Sequence, residues 1–264
     1  MSAALSAETI QEASHRLVEA EESRKAIPPL VQTYPGLSAD DAYRIQMATI
    51  DRKLEAGARV VGHKIGLTSV AMQQLLGVDQ PDFGHILDTM MVPNGGALQR
   101  SDLVYPRVEG EIAFVLAEDL RGPGVTVPRV LAATKYVMPA LEVVDSRVAD
   151  WKITLADTIA DNASSCRMVV GGRCLPVDGL DLRLVGMILE KNGEIVNSAA
   201  GAAVLGNPAQ AVAWLANRLA DFDVTLRAGE VILPGALTAA VSVEAGDTVQ
   251  ATFDHLGSVC VRFV

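Results

Sequence analysis

The sequence predicts an α+β fold: helices over residues 1–57, then a strand-rich body over residues 58–264 that carries the chemistry. Three observations predict it. Apolar residues recur at helical spacing as far as Gly57. Beyond Gly57, glycines and prolines become frequent and short strand-like runs dominate. Half of the 264 residues are hydrophobic, enough to bury a full core in one large domain or in a small domain on a larger one. Aromatic residues make up only 4%, so small aliphatic side chains must fill that core.

The elements follow in order. Ser6-Ala7-Glu8-Thr9 opens a helix with Ile10, Ala13, Leu17 and Ala20 on one face, and Pro28-Pro29 breaks it. Ser38-Ala39-Asp40-Asp41 resembles a capping box with Asp in place of Glu. Tyr43, Met47, Ile50 and Leu54 then form an apolar stripe that Gly57 closes as a C-cap residue. Val60 to Gly66 reads as a short strand, and Ser69 caps a short helix through Leu76. One later helix opens at Asn207-Pro208, an N-cap followed by proline at the first helical position, and buries Val212, Leu215, Ala216 and Leu219. Strands are expected at 184–191, 231–233, 248–253 and 259–264, with Asn192-Gly193 at the centre of a hairpin turn.

Charge and composition exclude several function classes. The net charge is −10 and no Lys/Arg cluster is evident, which argues against nucleic-acid binding. Cys166, Cys174 and Cys260 show no metal-type pairing, so reduced thiols and a cytoplasmic setting are expected. The acidic, amphipathic start is wrong for a signal peptide. No long uncharged apolar run exists to span a membrane.

The chemistry is concentrated in Tyr105 to Leu116. Read as a strand, this stretch places Glu109 and Glu111 on one face, roughly 6.6–6.8 Å apart, and Val108, Ile112, Phe114 and Leu116 on the other. Two adjacent carboxylates on a packed face are costly unless a cation joins them. The alternative is a solvated face with ordinary salt bridges. Hard oxygen ligands suit Mg²⁺, Mn²⁺ or Ca²⁺. Glu142, flanked by apolar residues in Met138 to Asp145, is the best third ligand; Asp145 is an alternative that more naturally caps the following turn.

Other polar residues stand in apolar surroundings. Lys64 is either desolvated, with a lowered pKa suited to proton transfer, or an edge lysine that snorkels to water. Asp82 in Gln80-Pro81-Asp82-Phe83-Gly84 reads as a turn residue. Asp161-Asn162-Ala163-Ser164-Ser165 is either a capped loop or a set of donors for a carboxylate. His63, His85 and His255 show no paired spacing, and His15 belongs to an exposed helix face.

Six blocks in order carry a family pattern: 62–69, 80–84, 108–114, 141–147, 160–165 and 257–263. Over nearly its whole length the chain resembles the 2-keto-4-pentenoate hydratases. They belong to the fumarylacetoacetase-like superfamily, together with the 4-oxalocrotonate decarboxylases. The resemblance implies a mixed β-sandwich roll with a helical N-terminal region. It implies Mg²⁺ or Mn²⁺ held by Glu109, Glu111 and Glu142, and Lys64 in proton transfer. Asp82 and Ser164 would line the substrate pocket as catalytic groups, with Leu76 and Ser165 against the substrate. Where many relatives have Gly-Ser, this chain has Gly235-Ala236. The activity implied is hydration of a 2-hydroxy-2,4-dienoate to a 4-hydroxy-2-oxo acid, in the catabolism of aromatic or steroid rings after meta-cleavage. A sister decarboxylase is the alternative, since Thr238-Ala239-Ala240-Val241 leans that way; a non-catalytic metal-binding subunit is the third reading. A homo-oligomer is expected, and a complex with a sister decarboxylase or a downstream aldolase is compatible.

Overall fold

The computed structural model describes residues 4–69, 73–74 and 77–264. Leu76, and most of the short helix expected after Ser69, lie outside the described residues. Helix α1 (Ala7–Ser23) starts at Ser6, whose hydroxyl accepts the Thr9 N–H. It ends at Arg24 in the left-handed conformation, before the prolines. After a single turn, α2 (Leu30–Thr33), helix α3 (Ala39–Glu55) is capped by Ser38, which accepts the Asp41 N–H. The buried face of α3 is wider than the expected stripe. Tyr43 and Ile50 are buried, Leu54 is exposed, and Asp41, Gln46 and Thr49 are buried as well. Gln46 donates to the carbonyls of Phe83 and Ile159, so α3 is tied to the body by hydrogen bonds as well as packing.

The strands form two sheets. The larger contains β1 (Val60–Gly66), β2 (Asp82–Leu87), β3 (Met91–Val92), β5 (Arg107–Leu116), β6 (Thr134–Val144), β7 (Ser165–Val170), β10 (Val231–Leu233) and β11 (Val241–Ser242). Its order is β2-β1-β10-β5-β6-β7-β3, with β11 also on β5. After β2 the chain passes through Asp88–Met90 into β3, which pairs in parallel with β7. One short stretch of chain therefore joins both ends of the sheet, and the sheet closes into a roll. The smaller sheet holds β4 (Ala97–Leu98), β8 (Gly186–Lys191), β9 (Glu194–Ala200), β12 (Thr248–Phe253) and β13 (Gly257–Phe263), ordered β4-β13-β12-β8-β9.

Alternation along β5 sorts its side chains. Val108, Ile112, Phe114 and Leu116 face outward into the main core, shared with the helices and the smaller sheet. Ala113 and Val115 face inward and meet Ile86, Met138, Ala140, Met168 and Leu233 in a separate cluster. Gly110, on the outer side, has no Cβ, and Met187 of β8 occupies that space. Among the described residues no helix is long and apolar enough to cross a membrane.

Candidate active site

The inner face of the roll collects the acidic residues. Glu109 and Glu111 project inward from β5, and Glu142 projects from β6, where it is the cross-strand partner of Glu109. One carboxylate oxygen from each lies within 4.8 Å of the other two. Glu111 and Glu142 are wholly buried and Glu109 is partly accessible. A solvated strand face is thereby excluded.

Glu111 and Glu142 are each held through one carboxylate oxygen, and the other makes no hydrogen bond. Glu111 Oε2 accepts the Gly235 N–H at 2.7 Å. Glu142 Oε1 accepts the Ser165 hydroxyl at 2.8 Å. The remaining oxygens, Glu111 Oε1 and Glu142 Oε2, have no hydrogen-bond partner. Buried carboxylate oxygens left unpaired are expensive. Burial first, and then the neighbouring Glu142 charge, push Glu109 up to about 7. The same causes, with Glu109 added, push Glu111 well above the ordinary carboxylate range. Three converging hard oxygens, with Glu111 Oε1 unpaired and Glu142 Oε2 facing only an ammonium, fit a divalent ion such as Mg²⁺ or Mn²⁺. Asp145 is not part of this group: its carboxylate accepts the Val104 and Tyr105 N–H groups and fixes the entry to β5.

Lys64 and Asp82 join the same face. β1 lies between β2 and β10, so Lys64 is no edge residue and cannot snorkel to water. Its Nζ donates to the Ala163 carbonyl at 2.9 Å and lies 3.4 Å from Glu142 Oε2. The lowered pKa expected from desolvation is reversed. Burial does pull Lys64 down, but Glu142, Asp82, Glu109 and Glu111 together outweigh it and hold the ammonium charged. Asp82 is not in a turn. It is the first residue of β2, opposite Gly66 and almost fully buried. The absent side chain of Gly66 leaves the space that the Asp82 carboxylate fills. Burial raises its pKa, against Lys64 and a hydrogen bond from Thr158, and Oδ1 has no hydrogen-bond partner.

The 161–165 segment is both a capped loop and a source of site groups. Asn162, Ala163 and Ser164 all take positive φ, at 53°, 50° and 57°, a costly run for residues with side chains. Three anchors hold it. The Asn162 side chain accepts the His85 N–H and donates to the His85 carbonyl. Asp161 pairs with buried Arg147, which also donates from Nη2 to the Asp161 carbonyl at 2.7 Å. Asp145 N–H donates to the Ser164 carbonyl. The strain presents the Ala163 carbonyl to Lys64 and leaves the Ser164 hydroxyl buried without a partner. Ser165, expected against substrate, directs its hydroxyl at Glu142 instead. His63 and His85 do pair, as cross-strand neighbours with rings 4.9 Å apart, and their side chains alternate away from Lys64, as neighbours along a strand do. Sequence reasoning gave no role to the Gly235 N–H, Thr158 or the Arg147–Asp161 pair. Only the blocks containing Arg147 and Asp161 marked that pair.

A family model for the C-terminal part of fumarylacetoacetate hydrolases matches residues 64–264, starting at Lys64 and spanning all three glutamates. The chain belongs to the fumarylacetoacetate hydrolase family. Within that family it is 49% identical over 253 residues to a 2-keto-4-pentenoate hydratase of Paraburkholderia xenovorans, covering 96% of this chain and 94% of the relative. It is 42% identical to a 4-oxalocrotonate decarboxylase of Pseudomonas putida, over the full length of both chains. The structure of 4-oxalocrotonate decarboxylase from Pseudomonas putida G7, complexed with magnesium and adipate, superposes with a TM-score of 0.97 at 40% identity, covering 100% of both chains. The rolled sheet with its helical N-terminal region is thus the fold of this family.

Proposed function

We propose that this chain is a metal-dependent hydratase that adds water to a 2-hydroxy-2,4-dienoate and yields a 4-hydroxy-2-oxo acid. The observation that carries the reading is the convergence of Glu109, Glu111 and Glu142 beside Lys64 and Asp82 on a buried face. The hydratase relative, at 49% identity, supports it.

Glu109, Glu111 and Glu142 would hold one Mg²⁺ or Mn²⁺, which supplies Lewis acidity toward the oxygens of a 2-oxo acid. The residues of the chain supply the proton traffic. Lys64, charged and aimed inward, delivers a proton from Nζ to C5 of the dienoate and regains one at Nζ from the 2-hydroxyl as that oxygen becomes the carbonyl. The product of that step is a conjugated enone, which accepts water at C4. Asp82 Oδ1, unpaired and with a raised pKa, takes a proton from the attacking water and returns it to C3. Ser164 Oγ orients the water or the substrate. The strained 162–164 turn fixes Lys64, and the closed roll excludes bulk water from the reacting carbons. Ser165 and the Gly235 N–H position Glu142 and Glu111.

The second reading is a 2-oxo-acid decarboxylase, favoured by decarboxylases that match this chain at full coverage. Buried Asp82 disfavours it, since its charge repels an extra carboxylate placed near the reacting carbons. One experiment separates the two: loss of the dienoate's ultraviolet absorbance with and without Mg²⁺ or Mn²⁺, with product identification. The hydratase reading expects metal-dependent 4-hydroxy-2-oxo acid. CO₂ from 4-oxalocrotonate without hydration would overturn it. We further propose a cytoplasmic homo-oligomer, supported by three free cysteines and by exposed Ile195 and Val196 on edge strand β9. An assembly with a sister decarboxylase or an aldolase is compatible with the same surface.

A further inference from the structure

Gln46 lies within α3 and is wholly buried. Its Nε2 donates twice, at 2.9 Å to the Phe83 carbonyl and at 2.7 Å to the Ile159 carbonyl. Carbonyls only accept, so this end of the amide is the nitrogen and the other the oxygen. Oε1 then accepts from His85 Nδ1 at 3.1 Å. Tyr43, three residues earlier on the same helix face, stacks on the Phe83 ring with centroids 4.5 Å apart. Helix α3 thus grips β2 through a ring, a carbonyl and an imidazole.

The two carbonyls are ones that the backbone leaves open. β2 ends the strand order of the larger sheet, and Phe83 and His85, two apart, turn their backbone groups to the same outer edge. The Asn162 side chain fills those of His85, and Gln46 fills that of Phe83. Ile159 is next to last in the helix Leu155–Ala160, where carbonyls run out of intrahelical partners. The residue before each carbonyl carries a group of the site. Asp82 precedes Phe83. Thr158, whose hydroxyl donates to the Asp82 carboxylate, precedes Ile159. One nitrogen therefore fixes the separation of strand and helix at the point where Asp82 and Thr158 meet. Without it, two unpaired oxygens would face each other in the interior and drive the two elements apart.

We propose that Gln46 is a positioning residue for the addition of water: it clamps β2 to the helix Leu155–Ala160, so that Thr158 holds the Asp82 carboxylate with Oδ1 turned to the reacting carbons. The helical N-terminal region, outside the residues 64–264 that the family model matches, then belongs to the catalytic machinery. The clamp rests on the hydratase reading for the role of Asp82. It acts on Asp82 and not on Lys64, whose ammonium is held separately by Ala163 and Glu142.

Gln46→Met nearly keeps the volume and removes all three hydrogen bonds. With Mn²⁺ bound, two steps are timed separately in the parent and the variant. Ketonisation of the dienoate is followed by its ultraviolet absorbance, and water addition to the isolated 2-oxo-3-enoate by formation of the 4-hydroxy-2-oxo acid. Water addition should fall about ten- to a hundred-fold in kcat, with KM and Mn²⁺ affinity as in the parent and ketonisation within about two-fold. Asp82→Asn should also lose water addition, and Gln46→Met on top of it should cost nothing further. If Gln46→Met does not fold, Gln46→Glu, whose buried acid keeps one donor, carries the same comparison with a smaller loss. An amide that only satisfies the backbone would lower Tm and slow both steps alike or neither, and either result overturns the proposal. Failure of the hydratase reading is distinct: the parent itself would add no water to the enone.

Discussion

Gly84→Ala tests whether the strained turn sets the catalytic geometry. Gly84 lies opposite Lys64 in the β1–β2 pair, and its φ is not in the left-handed region, so alanine fits the backbone itself. The only obstacle is the turn. A Cβ at position 84 would sit 3.0 Å from the Asn162 carbonyl carbon and 3.0 Å from Asn162 Oδ1, and closer still to the Asn162 carbonyl oxygen. Ordinary carbon–carbon contact is roughly 3.5–4.0 Å, so the turn must retreat by about 0.5–1 Å. Overpacking of this kind costs about 1–3 kcal/mol. The same retreat moves the Ala163 carbonyl that holds Lys64 Nζ, and a misplacement near 1 Å costs on the order of a hundred-fold in rate. Gly172→Ala is the control, because a Cβ there meets nothing within 4 Å. The assay is dienoate turnover alongside thermal unfolding. Gly84→Ala should lose about a hundred-fold in kcat and melt several degrees lower, with Gly172→Ala unchanged in both. Full turnover in Gly84→Ala would refute the role given to the turn.

Three further outcomes follow from the same structure. Ser165→Ala removes the hydroxyl on Glu142 Oε1 and should weaken Mn²⁺ binding about 10–100-fold by titration calorimetry, with the secondary structure seen by circular dichroism unchanged. Asp161→Asn breaks the buried pair with Arg147 and should cost about 3–5 kcal/mol in urea unfolding, of which an apolar replacement of both partners recovers most. His85 is held neutral: burial first, and then His63, lower it to about 3. The unfolded imidazole takes up a proton below about 6.5, so between those values the unfolded state binds more protons and stability falls as pH falls. In urea unfolding between pH 4 and 6, the slope of stability against pH in His85→Gln should be smaller than in the parent by about 1.4 kcal/mol per pH unit; equal slopes would show that His85 titrates in the folded protein.

Local signals carried the parts of the fold that local physics determines. Ser6, Ser38 and Asn207 cap the helices they were expected to cap. Alternation in 105–116 placed both glutamates on one face, and the apolar flanks of Glu142 marked it as inward. The closure of the sheet was not legible, because it rests on β3, a strand of two residues, too short to leave a period. That closure decided the ambiguous residues. It turned Lys64 from a snorkelling candidate into a buried ammonium, and its charge state followed from four carboxylates gathered from β2, β5 and β6. Asp82 was misread because Pro81 precedes it and Gly84 follows, a turn signature that here opens a strand. Arg147 and Asp161 are 14 residues apart, beyond any helical or strand spacing. Gly235 acts through its backbone N–H, which side-chain identity cannot reveal.

The central claim is that Glu109, Glu111 and Glu142 form a divalent-metal site, and Glu111→Gln tests it most directly. Glu111 is the most costly of the three in the metal-free protein: it is fully buried, its Oε1 is unpaired, and two like charges adjoin it. Thermal unfolding and Mn²⁺ titration of the parent and of Glu111→Gln, each stripped of metal and then reloaded, give the answer together. The parent should bind one Mn²⁺ per chain and gain stability from it. Stripped Glu111→Gln should melt at or above the stripped parent, bind Mn²⁺ far more weakly and show no metal-dependent shift. A variant that binds Mn²⁺ with the parent's affinity, or a parent whose melting ignores the ion, would contradict the account.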